Sequence, residues 1–255
     1  MATREFAVSM DQGALDTVSK RVIIFTGNYG SGKTEVSVNF TLALAKVESQ
    51  LSIVDLDIVN PYFRCREAIA PLEEAGVEVI VPRGEHFASE LPIILPEVKG
   101  SITREQGRVV LDVGGDNVGA RVLSSFGGLL LPARAELLMV CNARRPFTDT
   151  REGAVRIIRE IEAASRLRVS GLVSNTHLME ETSVDMILEG VALAEEVGAE
   201  LDVPLRFVAA MQSLVEPLAA AGLTVPVLPM VRRMLPPWIS PLRQGRDRFR
   251  QIGLE

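Results

Sequence analysis

Short apolar runs alternate with longer stretches of helical periodicity along most of the chain. Seven runs rich in β-branched residues read as strands: 22–25, 51–54, 77–81, 109–111, 137–141, 169–173 and 205–208. They are continuously apolar, not alternating, which is the pattern of parallel strands covered by helices on both faces. Between them, 35–45 carries Val36, Phe40 and Leu44 on one stripe and Val38, Leu42 and Ala45 on another, so the pattern predicts a deeply buried helix. In 151–164, Ala154, Ile158 and Ile161 recur at helical spacing. A third helix opens at Thr182-Ser183-Val184-Asp185, a capping-box-like start, and runs through Met186, Leu188 and Leu193 to Val197. Strand and helix in this alternation predict one doubly wound α/β domain. Its body is expected over 20–230, after a polar leader over 1–19, with 82–107 as an irregular insertion. From Pro226 the chain turns Pro-rich and then Arg-rich, and 231–255 is expected as a tail helix packed back on the domain.

Composition narrows the class. Hydrophobic residues make up 47% and charged residues 24% of 255 residues, ordinary for a soluble globular protein. A net charge of −6 argues against a general nucleic-acid binder. The two cysteines, Cys65 and Cys141, are too few and too isolated for a disulfide framework or a zinc site, and read as small buried hydrophobes. No apolar run approaches the roughly 18 residues of a membrane span. The first residues lack the basic-then-apolar layout of a signal peptide, so a cytoplasmic location is expected.

The strongest chemical signal is Gly27-Asn28-Tyr29-Gly30-Ser31-Gly32-Lys33-Thr34, which satisfies G-x-x-x-x-G-K-[ST] between an apolar strand and a helical pattern. Glycines let such a loop fold tightly, so that successive backbone N–H groups point inward and cradle phosphate oxygens. The helix that follows adds its positive N-terminal end. Lys33 is expected to reach the β- and γ-phosphates, and the Thr34 hydroxyl to ligate Mg²⁺. This is a nucleoside triphosphate site by sequence.

Two carboxylate segments have the spacing such a site needs. Asp55 and Asp57 stand at i and i+2 where the second strand ends, a spacing that turns both to one side. The run 109–111 ends in Asp112, the layout of a metal-side carboxylate, and Gly115 three residues on can offer its N–H to a γ-phosphate. Thr34, Asp55 and Asp112 are thus the candidate metal residues, and Lys33 and Asp57 the candidate catalytic ones. Asn175 follows a buried strand where guanine-selective P-loop proteins carry Asn-Lys-x-Asp. Thr176 and Leu178 replace the Lys and the Asp, so the carboxylate that selects guanine is missing and adenine is favoured. ATP with Mg²⁺ is the expected cofactor pair.

Together, 27–34, Asp55-x-Asp57, Asp112-x-x-Gly115 and Asn175 resemble the MinD/ParA and cobyrinic-acid-synthetase-like branch of the P-loop NTPases, over about residues 20–210. The resemblance implies a mostly parallel sheet of seven or eight strands with helices on both faces, and an ATP-dependent switch or transferase. Asp55-Leu56-Asp57-Ile58 is similar to that family's paired-Asp segment, which implies that Asp57 helps position the attacking water. Dimerising members carry a signature Lys at the second loop position, where this chain has Asn28. The resemblance therefore turns towards members lacking that Lys, which include metallocentre-assembly NTPases and some small-molecule kinases and ligases. A homodimer stays open, without cross-subunit lysine chemistry.

Several other residues carry chemistry that such a site can use. His177 stands close after Asn175, and a lone His at a strand end is more often a turn residue than a ligand. His86 has no metal-ligand partner near it in sequence. Arg64 and Arg66 follow the paired Asp residues, and Arg144 and Arg145 follow the strand that ends at Cys141; either pair can meet an anion. In the tail, Arg243, Arg246, Arg248 and Arg250 lie among Leu242, Phe249, Ile252 and Leu254. Two functions remain open: an ATPase switch for a partner protein, such as a metalloenzyme assembly factor, or an ATP-dependent kinase or ligase for a small anionic substrate. The acidic balance and Asn28 count against a scaffold at DNA or a membrane.

Overall fold

The computed structural model describes residues 12–57, 68–81, 96–115 and 117–234. Among them, β1 (Val22–Thr26), β2 (Leu51–Leu56), β3 (Glu78–Ile80), β4 (Arg108–Val113), β5 (Ala135–Cys141), β6 (Val169–Ser174), β7 (Leu205–Met211) and β8 (Val227–Met230) form one sheet. All eight are parallel, in the order β3-β2-β4-β1-β5-β6-β7-β8. The helices are α1 over 12–16, α2 (Lys33–Leu44), α3 (Ile69–Glu74), α4 (Pro96–Thr103), α5 (Asn117–Ser124), α6 (Arg151–Ser165), α7 (Val184–Leu201) and α8 (Val215–Ala220). This is the doubly wound α/β sheet expected. None of the helices among the described residues is long and apolar enough to cross a membrane.

Strand periodicity divides the core between the two faces. Val22 and Ile24 of β1, Val109 and Leu111 of β4, and Ile158 of α6 pack on one face. Ile23 and Phe25, Val110, and Val36 and Phe40 of α2 pack on the other. The Phe40 ring meets Phe25 edge-on at 5.3 Å and stacks on Phe207 at 5.7 Å, which seats α2 over the sheet centre. Ten of its twelve residues are buried, as its doubled apolar stripe predicts. Hydroxyl caps start the two long helices: Thr150 Oγ1 accepts from Gly153 N at 3.2 Å, and Ser183 Oγ from Met186 N at 3.3 Å.

The structure departs from the sequence reading in three places. The segment read as an irregular insertion contains α4, whose eight residues are too few for a periodicity to show. Val227–Met230, read as the start of a Pro-rich tail, is β8, paired with β7 through Val208↔Val227 to Met211↔Met230. Pro229 is tolerated because β8 is the edge strand of the sheet among the described residues, with one side unpaired there. Ala14, Leu15 and Val18, within the stretch read as a leader, are buried in the α2-side core.

Candidate functional site

The order of strands places the loop 27–34 at a topological switch point. β1 lies between β4 and β5, and the loop leaves its carboxyl end, the side on which open α/β sheets bind ligands. Gly32, the residue before α2, has φ 81°, and a Cβ there would press into the Asn175 amide. That amide is buried and donates from Nδ2 to the Ser31 carbonyl at 2.7 Å. Gly115 approaches from β4: a Cβ on it would run into the Gly27 carbonyl, so no side chain fits there. Asn28 Oδ1 accepts from Tyr29 N at 2.8 Å, and Tyr29 itself is exposed. The buried hydroxyls of Thr26 and Ser31 have no hydrogen-bond partner among the described residues. Such orphans around a Gly-lined cradle suit phosphate oxygens, which the loop's N–H groups would also meet.

The carboxylates converge on the same loop. Asp55 and Asp112 are register partners on the adjacent strands β2 and β4. Each stands two residues after a member of the α2-side core, Ile53 on β2 and Val110 on β4, so both lie on the α2 face of the sheet. Asp57, one residue beyond β2, donates its N–H to Asp55 Oδ1 at 3.1 Å. Its side chain pairs with Lys33, Nζ to Oδ2 2.8 Å, and both are nearly sealed from solvent, 8% and 2% exposed. Burial by itself would depress the Lys33 ammonium. The charges of Asp112, Asp57 and Asp55 outweigh it and raise the pKa.

Asp112 is fully buried. Burial, opposed by Lys33 and reinforced by Asp55, pushes its pKa up to about 7. The Thr34 hydroxyl comes close enough to favour the anion, yet neither carboxylate oxygen has a hydrogen-bond partner among the described residues. Two buried carboxyl oxygens opposite a threonine hydroxyl fit a hard divalent cation, which would favour their anionic form. No group of three or more His, Cys, Asp or Glu able to hold a metal occurs among the described residues. The remaining ligands would therefore be phosphate and water, the habit of Mg²⁺.

The architecture matches solved structures. FtsY from Thermotoga maritima is 18% identical, with a TM-score of 0.51 over 80% of this chain and 70% of that one. FtsY from Mycoplasma mycoides is 15% identical, with a TM-score of 0.51 over 80% and 68%. The signal recognition particle receptor FtsY from Elizabethkingia anophelis is 15% identical at a TM-score of 0.48, and this chain spans 64% of its length. No protein-family model matches the chain, and no curated protein matches it in sequence. The fold is that of a P-loop NTPase.

On this P-loop NTPase fold the structure also gathers residues that sequence spacing left apart. Asn142 Oδ1, at the end of β5, accepts from Arg144 N at 2.9 Å and from His177 N at 3.4 Å, joining the β5 and β6 loops. His177 is half-buried beside Gly32, a hydrogen-bonded residue of the loop after β6. Glu35 accepts from Arg233 N at 2.7 Å and Met234 N at 2.9 Å, and Asn39 exchanges bonds with Val231, so α2 holds the chain leaving β8. No motif signals that clamp; only the polarity of Glu35 and Asn39 within a buried helix hints at it. Cys141 is buried, as expected, and burial pushes its thiol up to about 12. Cys65, Arg64, Arg66, His86 and the tail arginines lie outside the described residues.

Proposed function

We propose that this chain is a cytoplasmic, Mg²⁺-dependent ATPase whose nucleotide state is read by a partner protein. The observation that carries the reading is Lys33, held at 2.8 Å by Asp57 inside a three-carboxylate cluster at the mouth of the phosphate loop. A nucleotide's phosphates compete with Asp57 for that ammonium. Binding thus exchanges one anion for another and releases the Asp57 carboxylate from its pair. Thr34 and Asp112 would hold Mg²⁺, which supplies positive charge to the phosphates when bound. The Asp57 carboxylate, no longer paired with Lys33, is then the group that orients the attacking water and takes its proton as the water oxygen bonds to the γ-phosphorus and the bond from that phosphorus to the bridging oxygen breaks. Asn28, in place of a lysine that would bridge a dimer, favours the metallocentre-assembly members of the branch the sequence resembles.

Asn175 supports adenine. Its Nδ2 is committed to Ser31, which leaves Oδ1 to accept from the exocyclic amine of adenine, whereas guanine presents a carbonyl at that position. Leu178 supplies no acceptor for the guanine N1–H. ATP should therefore compete at least about tenfold better than GTP, roughly 1.4 kcal/mol. Competition titrations that rank GTP first would overturn the assignment of the base.

Turnover of ATP by the pure protein, with and without size-fractionated cell extract, tests the switch. Stimulation by a macromolecular fraction is the expected result. Stimulation confined to the small-molecule fraction would replace the switch with the kinase or ligase reading.

A further inference from the structure

The turn after β5 grips the phosphate loop at two points. Arg145 Nε donates to the Gly30 carbonyl at 3.1 Å, and Asn28 Nδ2 donates to the Pro146 carbonyl at 3.0 Å. A Cβ on Gly30 would stand 3.1 Å from Arg145 Nε and 3.4 Å from its Cζ, so the guanidinium lies against the loop backbone. The turn is itself fixed from behind. Arg145 N donates to the Asn142 carbonyl at 3.1 Å, Thr148 Oγ1 donates to the same carbonyl at 2.9 Å, and Ala143 N donates to Thr176 Oγ1 at 3.1 Å. Arg144 beside it pairs with Glu189, but among the described residues no carboxylate pairs with Arg145. A half-buried arginine braced this firmly, and left without an acidic partner, is prepared for something else.

Which end of a nucleotide it would meet follows from the strand order. Lys33, Asp57, Asp112 and Gly115 belong to the flank of β1 that carries β4 and β2, and they mark the terminal-phosphate end. Arg145, Asn175 and His177 belong to the opposite flank, beside β5 and β6, and crowd Gly30 to Gly32. A triphosphate with its γ-group near Asp57 therefore extends its nucleoside towards Arg145. His177 on this flank is uncharged: burial, then the Arg145 and Arg232 charges, push its pKa down to about 4. Of the two cations beside His177, Arg232 pairs with Glu180, so the flank offers one planar cation in Arg145 and a neutral ring.

We propose that Arg145 is a nucleoside-binding residue, anchored through Nε to the Gly30 carbonyl and presenting its guanidinium plane to the face of the purine. This rests on the phosphate-loop reading above. A guanidinium is planar and weakly hydrated, and it stacks on aromatic faces, which an ammonium does not do equally well.

Calorimetric titration of Mg-ATP and of Mg-tripolyphosphate, which has no nucleoside, tests the assignment on the full chain. Arg145→Met should weaken Mg-ATP about tenfold and leave tripolyphosphate within about twofold of the parent. Arg145→Lys, which keeps the charge and loses the plane, should show the same split between the two ligands. Equal weakening of both ligands would make Arg145 a brace of the loop or a phosphate contact and overturn the proposal, as would Mg-ATP affinity unchanged in Arg145→Met. A parent chain that binds neither ligand overturns the phosphate-loop reading itself, and this proposal with it.

Discussion

Lys33→Ala should abolish ATP binding and also destabilise the nucleotide-free protein. The first effect follows from the loop, because the ammonium is the only side-chain cation at its centre among the described residues, and its loss should weaken ATP by more than about tenfold. The second follows from burial. Asp57 is only 2% exposed, and its partner at 2.8 Å would be gone, with Asp55 and Asp112 still nearby. Removing one member of a buried ion pair costs on the order of 3–5 kcal/mol. Urea unfolding measures that loss, and titration with labelled ATP measures the first. Lys33→Ala combined with Asp57→Asn should recover most of the stability and none of the binding, since the two effects have different origins. A single Lys33→Ala variant that binds ATP like the parent would refute the phosphate-loop assignment.

The parts of this site that are local in sequence are the parts a reader of the sequence can find. A loop that cradles phosphate must have glycines where backbone approaches backbone, and Gly27, Gly30 and Gly32 state that need within one short motif. Asp55 and Asp112 announce themselves because a carboxylate closing a continuously apolar strand has few structural reasons to be there. That Asp55 and Asp57 turn to one side is already implicit in the strand period, but a face shared by Asp55 and Asp112 is not. That Asp55 and Asp112 are neighbours is not implicit either, because it depends on β4 inserting between β1 and β2. The Lys33–Asp57 pair is hidden for the same reason.

Arg145 is hidden more deeply. It meets Gly30 across 115 residues of chain, and Arg144 beside it has the same composition and a different fate, an exposed pair with Glu189. Nothing in a dipeptide of arginines says which one turns inward. β8 escaped for a compositional reason: four residues containing Pro229 look like a linker until the edge of a sheet is there to receive them. Short helices such as α4 and α8 carry too few turns for their apolar residues to declare a period. Packing against a sheet that already exists decides their conformation.

The two carboxylates that flank Lys33 should separate cleanly by substitution. Asp57→Asn keeps the shape of the side chain and removes its charge and its capacity to accept a proton. In the nucleotide-free protein Asp57 competes with phosphate for Lys33, so this variant should bind Mg-ATP as tightly as the parent, or a few-fold tighter. Turnover should nevertheless fall on the order of a hundredfold, because the group that handles the attacking water is gone. Asp112 has no such link to the nucleophile. Its two oxygens lie buried near the Thr34 hydroxyl, without hydrogen bonds among the described residues, the arrangement of a metal-side carboxylate. Asp112→Asn should therefore raise the Mg²⁺ concentration needed for half-maximal turnover, and excess Mg²⁺ should restore much of the rate. Excess Mg²⁺ should do nothing for Asp57→Asn. Titrating Mg²⁺ against turnover in both variants, alongside ATP affinity, distinguishes the roles. Parental turnover in Asp57→Asn would reduce Asp57 to a counter-ion that holds Lys33 in place, and hydrolysis would then need a different residue to handle the water.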